Sequence, residues 1–283
     1  MSTPPVERPR IDLRKAINAV SDVVQNRPKP LRVFDQIHMK VGDMLMQSEI
    51  VADWAEGKRL AFIGDGDAIS VCVAYMLHRK VLTFGPKHIT VFDFDERTVN
   101  AVMKFAEREG ITNLDAVLYN CLDPFPVTDK YDLFYTNPPW GQWNNGESVN
   151  LFVERGIDAI GFQGEGMVVI ADDDELDWPK LVLANTQSFS RERGFYVSRM
   201  QRKLHNYHLD DNPSLQSCNL YISSLPGNDA NKRASAPALP KRLDNFYGRD
   251  KKPHVRYVKE VKRVDPGNAD DSEYTLVLLG ETK

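Results

Sequence analysis

The chain has 283 residues, 42% of them hydrophobic and 27% charged, with a net charge of −4; that balance suits a packed core and excludes a disordered or low-complexity chain. No apolar run approaches the roughly 20 residues that span a bilayer, and the N-terminus carries no signal-like apolar segment, so a cytoplasmic protein without membrane association is expected. Cys72, Cys121 and Cys218 are odd in number, far apart and without CxxC spacing, which points to reduced structural thiols and to no metal site.

Residues 1–58 read as a helical N-terminal segment. Ile11, Leu13, Ala16, Ile17, Val20, Val23 and Val24 recur at helical spacing, predicting a helix over 11–26 that Arg27-Pro28-Lys29-Pro30 breaks. A second helix is predicted over about 41–56, closed by Gly57-Lys58. From Arg59 the pattern changes to short apolar runs alternating with helices. Strands are predicted at 60–63, 89–93, 114–119, 132–136 and 166–170, and helices at about 68–79, 96–109 and 149–160. This alternation implies an α/β fold, a doubly wound, mostly parallel Rossmann-like sheet over residues 59–225. In such a sheet the ligand lies beyond the carboxyl ends of the strands.

Residues 226–283 read as a basic linker and a C-terminal β-hairpin. Ser223 to Pro240 is loop-like, while 254–264 and 273–279 form two strands around Asp265-Pro266-Gly267-Asn268. The hairpin is expected at the sheet edge or as a small separate flap. Charge is divided unevenly: Asn228 to Arg263 holds eleven basic and four acidic residues, a local +7 that leaves −11 on the remainder. An acidic body suits a cationic substrate, and a basic appendage suits nucleic acid or another polyanion.

The chemistry-bearing residues fall at strand ends. Gly64-Asp65-Gly66-Asp67 follows the first strand, where glycine permits close backbone approach to a ligand. Asp93 and Asp95 end the second, about 28 residues on, where an acidic side chain binds ribose hydroxyls. Asp123 follows the third and is placed to meet an adenine amine. After the fourth comes Asn137-Pro138-Pro139-Trp140. The prolines have no N–H, so nearby carbonyls and the Asn137 side chain can accept hydrogen bonds from an amine, with Trp140 as an apolar wall. A proline-rich turn would account for these four residues alone, but not for four such loops in order. Together they identify a class I S-adenosylmethionine-dependent transferase fold, with Asn137, Pro138 and Trp140 as catalytic residues and Gly64, Asp65, Gly66, Asp67, Asp93, Asp95 and Asp123 as cofactor-binding residues.

The resemblance then narrows. Phe34-Asp35-Gln36, Gly64-Asp65-Gly66-Asp67, Asp93-Phe94-Asp95-Glu96-Arg97, Asn137-Pro138-Pro139 and Asn206-Tyr207-His208-Leu209 with Asn219-Leu220 resemble the branched-chain polyamine synthase family, bis(aminopropyl)spermidine synthase. The likeness covers roughly residues 33–222. It implies aminopropyl transfer from decarboxylated S-adenosylmethionine to a polyamine nitrogen, Asp65 and Asp67 helping to neutralise the donor's propylamine. Substrate-binding candidates are Asp35, Gln36, Trp143, Glu147, Asp172 (with Asp173 and Asp174) and His208, the tryptophans offering cation–π contacts. A homodimer is carried as a further expectation.

Two departures accompany the resemblance. The family has a longer N-terminal region with a winged-helix-like domain, and its motif begins with Asp where this chain has Asn137. A polyamine nitrogen is protonated at neutral pH, with a pKa of ~10, and asparagine cannot take its proton. Asp35, Glu147 or Asp172 would have to substitute, and Asn137→Asp is expected to raise polyamine activity if the missing base is limiting. The alternative is an S-adenosylmethionine-dependent methyltransferase acting on the exocyclic amine of a nucleobase in DNA or RNA. Such an amine is already neutral, and Asn-Pro-Pro-aromatic also resembles the motif of amino-methyltransferases. A flipped base would stack on Trp140, and the basic segment with Phe246, Tyr247 and Tyr257 would contact phosphates. A third reading is an inactive binding module on the same fold.

Overall fold

The computed structural model describes residues 11–126, 131–210, 212–265 and 268–280. Residues 1–10 of the predicted N-terminal segment and Pro266-Gly267 of the predicted hairpin turn lie outside the described residues. Helix α1 (Leu13–Asn26) starts at Asp12, whose carboxylate accepts the Lys15 N–H at 3.2 Å. Helix α2 (Val41–Trp54) follows a short turn over 32–34 that ends in the left-handed Asp35.

The sheet then builds as read from the sequence: β1 (Arg59–Ile63), α3 (Ile69–His78), β2 (His88–Asp93), α4 (Glu96–Glu109), β3 (Leu114–Leu118), β4 (Leu133–Thr136), α5 (Glu147–Ala159) and β5 (Glu165–Asp172). Helix α6 (Asp177–Glu192) and strands β6 (Phe195–Asn206) and β7 (Gln216–Ser224) complete it. Strand order is β3-β2-β1-β4-β5-β7-β6, and β7 runs antiparallel to both β5 and β6.

Both faces of the central strands β1, β4 and β5 are buried, which their side chains show by alternation. Leu60 and Phe62, Leu133 and Tyr135, and Met167 and Val169 join one buried cluster with Val20 of α1, Met44 and Val51 of α2 and Val73 of α3. Their neighbours Ala61 and Ile63, Phe134, and Val168 and Ile170 join the other, with Val149 and Ile157 of α5. A parallel sheet covered on both sides produces this pattern of apolar runs with no polar face. Gly166 lets the Phe134 ring seat against the sheet; a Cβ there would fall 2.2 Å from the ring.

The chain leaves β1 toward β2 and β3, then returns to β4 on the other side of β1, so strand order reverses between β1 and β4. Thr136 Oγ1 donates to the Ile63 carbonyl at 2.7 Å and ties those two strand ends together. A crevice opens at such a reversal.

Strands β8 (Val255–Asp265) and β9 (Asn268–Leu278) form a separate two-stranded sheet rather than an edge of the main one. Val258 N donates to Phe94 O at 3.2 Å, and Val255 and Val258 are fully buried in the second cluster together with Phe246. The flap thus sits on the loop after β2. Three of its basic residues are engaged within the chain: Arg256 with Asp123 at 2.8 Å, Lys259 with Glu96 at 2.7 Å, and Arg263 with Glu260 at 3.0 Å. No described helix is long and apolar enough to cross a membrane.

Candidate active site

A cavity of about 320 Å³ lies at the carboxyl ends of β1 to β4, within the size range of small-molecule sites. Of the residues singled out from sequence, Gly64, Asp65, Gly66, Asp67, Asp93, Asn137, Pro138, Trp140, Asp35 and Gln36 all line it. They come from three strand-end loops and from the turn before α2.

The loop after β1 is shaped by its glycines and aspartates. Gly64 has φ of +75°, a conformation that L side chains adopt rarely. Asp65 accepts from Ile69 N at 2.9 Å, from Ser70 N at 3.1 Å and from the Ser70 hydroxyl, capping α3. Burial pushes its pKa well up, with the Ser70 hydrogen bonds opposing. Asp67 turns the other way, accepting from Met39 N at 2.7 Å and from Asn137 Nδ2 at 2.8 Å. Arg27, itself buried, lies 3.9 Å from the Asp67 carboxylate and donates to the Asp67 carbonyl at 3.1 Å. Burial raises the Asp67 pKa, outweighing Arg27.

Asp93 accepts from Asp65 N at 3.1 Å and from Asp95 N at 2.9 Å. Burial first, then Asp95, raises its pKa to about 7. Trp140 stands edge-to-face with Tyr207 at 5.0 Å, and its buried indole N–H has no partner among the described residues.

The remaining candidates lie elsewhere. Asp95 is outside the cavity: it caps α4 and pairs with Arg97 through bonds of 2.6 and 3.0 Å. Asp123 meets Arg256, and at the β3 end Tyr119, Asn120 and Cys121 line the cavity instead. Trp143 is 43% exposed under the Arg249 guanidinium at 4.1 Å, and Gln142 takes its place on the wall. Glu147 accepts from Arg242 at 2.9 Å, and Asp172 accepts from Arg202 at 2.7 Å and Lys203 N at 2.9 Å. Neither residue lines the cavity. His208 is exposed, and its neighbour across the backbone bond from His208 N to His38 O is the histidine that lines the cavity. Burial, with Arg27 adding to it, lowers the His38 pKa to about 3, so it is neutral.

Sequence reading missed His38, Asn120, Tyr207 and Tyr247 as cavity residues. Tyr207 carried a signal, because it stands in a segment that resembles the family. Tyr247 carried none: it arrives from the basic linker and packs edge-to-face on Phe34 at 5.4 Å.

The strand order and these strand-end loops define a Rossmann-like fold of the class I S-adenosylmethionine-dependent transferase type. Residues 15–276 match the family model for the branched-chain polyamine synthase A C-terminal domain, and the chain belongs to that family. The N(4)-bis(aminopropyl)spermidine synthase of Thermococcus kodakarensis is 29% identical over 140 residues, 48% of this chain and 37% of that protein. An uncharacterized protein of Methanocaldococcus jannaschii is 25% identical over 209 residues, 73% of this chain and 47% of that one. The matched stretches therefore span under half of either curated relative. The branched-chain polyamine synthase of Thermus thermophilus, solved with N4-aminopropylspermidine and 5'-methylthioadenosine, shares the fold. Its TM-score is 0.67 at 20% identity, covering 89% of this chain and 78% of that one.

Proposed function

We propose that the chain is an enzyme that transfers an aminopropyl group from decarboxylated S-adenosylmethionine to a polyamine nitrogen. The observation that carries this reading is the 2.8 Å hydrogen bond from Asn137 Nδ2 to Asp67. It sets a buried carboxylate beside the amine motif, so asparagine at position 137 does not leave the site without a base. Asp67 takes the role expected of Asp35, Glu147 or Asp172. Its raised pKa makes it a stronger proton acceptor than an ordinary carboxylate, which suits a protonated amine. The names of the Thermococcus and Thermus relatives support the same chemistry.

The cavity residues fit an S-adenosyl group. Gly66 presents backbone with nothing within 4 Å of where a Cβ would stand. Asp93 would hold the ribose hydroxyls, and Asn120 with Tyr119 would meet the adenine. When bound, the group supplies a propyl carbon activated by the adjoining sulfonium, with 5'-methylthioadenosine as leaving group. Asn137 Oδ1 accepts a hydrogen bond from the amine and aims its lone pair. The incoming ammonium first gives one proton to Asp67, which frees that lone pair; the N–C bond then forms as the C–S bond breaks, and the alkylated nitrogen keeps its remaining proton. Trp140 and Tyr207 wall the site against water, and positioning supplies most of the acceleration.

Methyl transfer to a nucleobase is favoured by one observation, the neutral acceptor at position 137. Against it stand the neighbouring Asp67 and the ion pairs that occupy Arg256, Lys259 and Arg263. The test is mass spectrometry after separate incubations of spermidine with decarboxylated S-adenosylmethionine and of oligonucleotides with S-adenosylmethionine. An aminopropylated spermidine is expected; a methylated oligonucleotide with unchanged spermidine would overturn the proposal. A cytoplasmic location is supported by the three free, buried cysteines. A homodimer would use Leu13 and Ile17 of α1 with Tyr274 and Leu276 of β9, all exposed; light scattering tests it.

A further inference from the structure

Behind Asn137 runs a chain of buried polar groups that the transfer itself does not touch. Asn137 and Tyr207 both line the cavity, and the Asn137 amide faces the Tyr207 hydroxyl. Tyr207 Oη lies 2.8 Å from Ser217 Oγ, which lies 2.8 Å from His205 Nδ1. His205 Nε2 lies 2.8 Å from Gln47 Oε1, which also accepts from Asn219 Nδ2 at 2.8 Å. Gln47 Nε2 in turn donates to Asn219 Oδ1 at 3.0 Å. Gln47, His205, Ser217 and Asn219 have no exposed surface, so their donors and acceptors must be satisfied within the chain.

That condition fixes its direction. Gln47 Oε1 can only accept, so His205 carries its proton on Nε2 and presents Nδ1 as an acceptor. Ser217 then donates to His205 and accepts from Tyr207. The Tyr207 proton therefore points away from the cavity, which leaves its oxygen to accept from Asn137. From the opposite end, the Asp67 carboxylate accepts the other Asn137 N–H. Both readings leave Asn137 Oδ1 as the atom turned to the ligand.

We propose that Tyr207, Ser217, His205 and Gln47 form a positioning chain that holds the Asn137 amide with Oδ1 facing the reacting amine. This inference rests on the reading of the cavity as an amine-alkylating site. Burial lowers the His205 pKa to about 4, so the imidazole stays neutral and its tautomer persists through neutral pH.

The first test reads the tautomer directly and does not depend on which group is transferred. In the full chain labelled with 15N-histidine, the His205 signals are identified by their loss in His205→Gln, and two-bond NMR correlations report which nitrogen is protonated. A neutral Nε2–H ring at pH 7 is expected. An Nδ1–H ring or an imidazolium would overturn the proposal. The second test measures Tyr207→Phe and Ser217→Ala with spermidine and decarboxylated S-adenosylmethionine. With one hydrogen bond lost, kcat is expected to fall about tenfold, while the Kd for 5'-methylthioadenosine stays within twofold. Unchanged kcat in both variants would overturn the positioning role. If the wild-type chain makes no aminopropyl product, the proposed function fails and the tautomer alone decides this inference.

Discussion

Asn137→Asp restores the residue with which the family motif begins, and the sequence alone suggests that it should raise activity. The geometry reverses that expectation. The new carboxylate oxygen would stand where Nδ2 now lies, 2.8 Å from Asp67 Oδ2. At an effective dielectric of about 20, two full charges at that separation repel by roughly 6 kcal/mol, equivalent to about four pKa units. Asp67 is already raised by burial, so the pair retains one proton at neutral pH. A shared proton makes the remaining charge a weak base, and the stronger dianion appears only at higher pH. A pH profile of kcat/KM for spermidine aminopropylation reads this directly. At pH 7 the variant is expected to fall at least about tenfold below wild type, with its rising limb shifted to more alkaline pH. Activity equal to or above wild type at pH 7, with the limb unmoved, would refute the carboxylate-pair argument.

Glu147→Gln and Asp172→Asn are expected to leave kcat within about twofold, because both carboxylates are held by arginines outside the cavity. Asp172→Asn should lower the urea-unfolding stability by about 1–3 kcal/mol, since the buried side chain loses its charge toward Arg202 and Lys203 N. Trp140→Phe replaces the indole on the cavity wall by a smaller and weaker π face, so the KM for spermidine is expected to rise up to about tenfold. The Kd for 5'-methylthioadenosine should stay unchanged in that variant. Asp93 has a folded pKa of about 7 against an ordinary 3.8. Its stabilisation is thus complete below the ordinary value and is lost as pH rises through about 7. Three units correspond to about 4 kcal/mol, and Asp93→Asn should shrink the stability difference between pH 4 and pH 8 by that order.

The central strands were legible because both of their faces are buried. Leu60-Ala61-Phe62-Ile63 shows no polar face, and a run of that kind bounded by Gly64 can only be a central strand. The strand-end loops were legible because the chemistry must stand there, and Gly64 to Asp67, Asp93 and Asn137 to Trp140 all reach the cavity. What the sequence did not separate was which of two neighbouring acids reaches the cavity. Asp93 and Asp95 are two residues apart, and only the helix geometry after β2 turns Asp95 onto Arg97. Glu147 lies near the amine motif in sequence, yet its partner Arg242 is 95 residues away. Asp67 was assigned to the donor, since nothing in the sequence brings the first loop and the fourth within one hydrogen bond. Strand β6 escaped notice because register shifts at Val197/Arg199 and Gln201/His205 break its alternation.

The central claim, that Asp67 receives the proton of an amine aimed by Asn137, is tested most directly by Asp67→Asn. This change keeps the size of the side chain while removing its basicity. Single-turnover aminopropyl transfer to spermidine should slow by about 100-fold or more, as expected for loss of a general base, while 5'-methylthioadenosine binds with unchanged Kd. Transfer at close to the wild-type rate would contradict the claim and return the choice of base to the other carboxylates of the cavity.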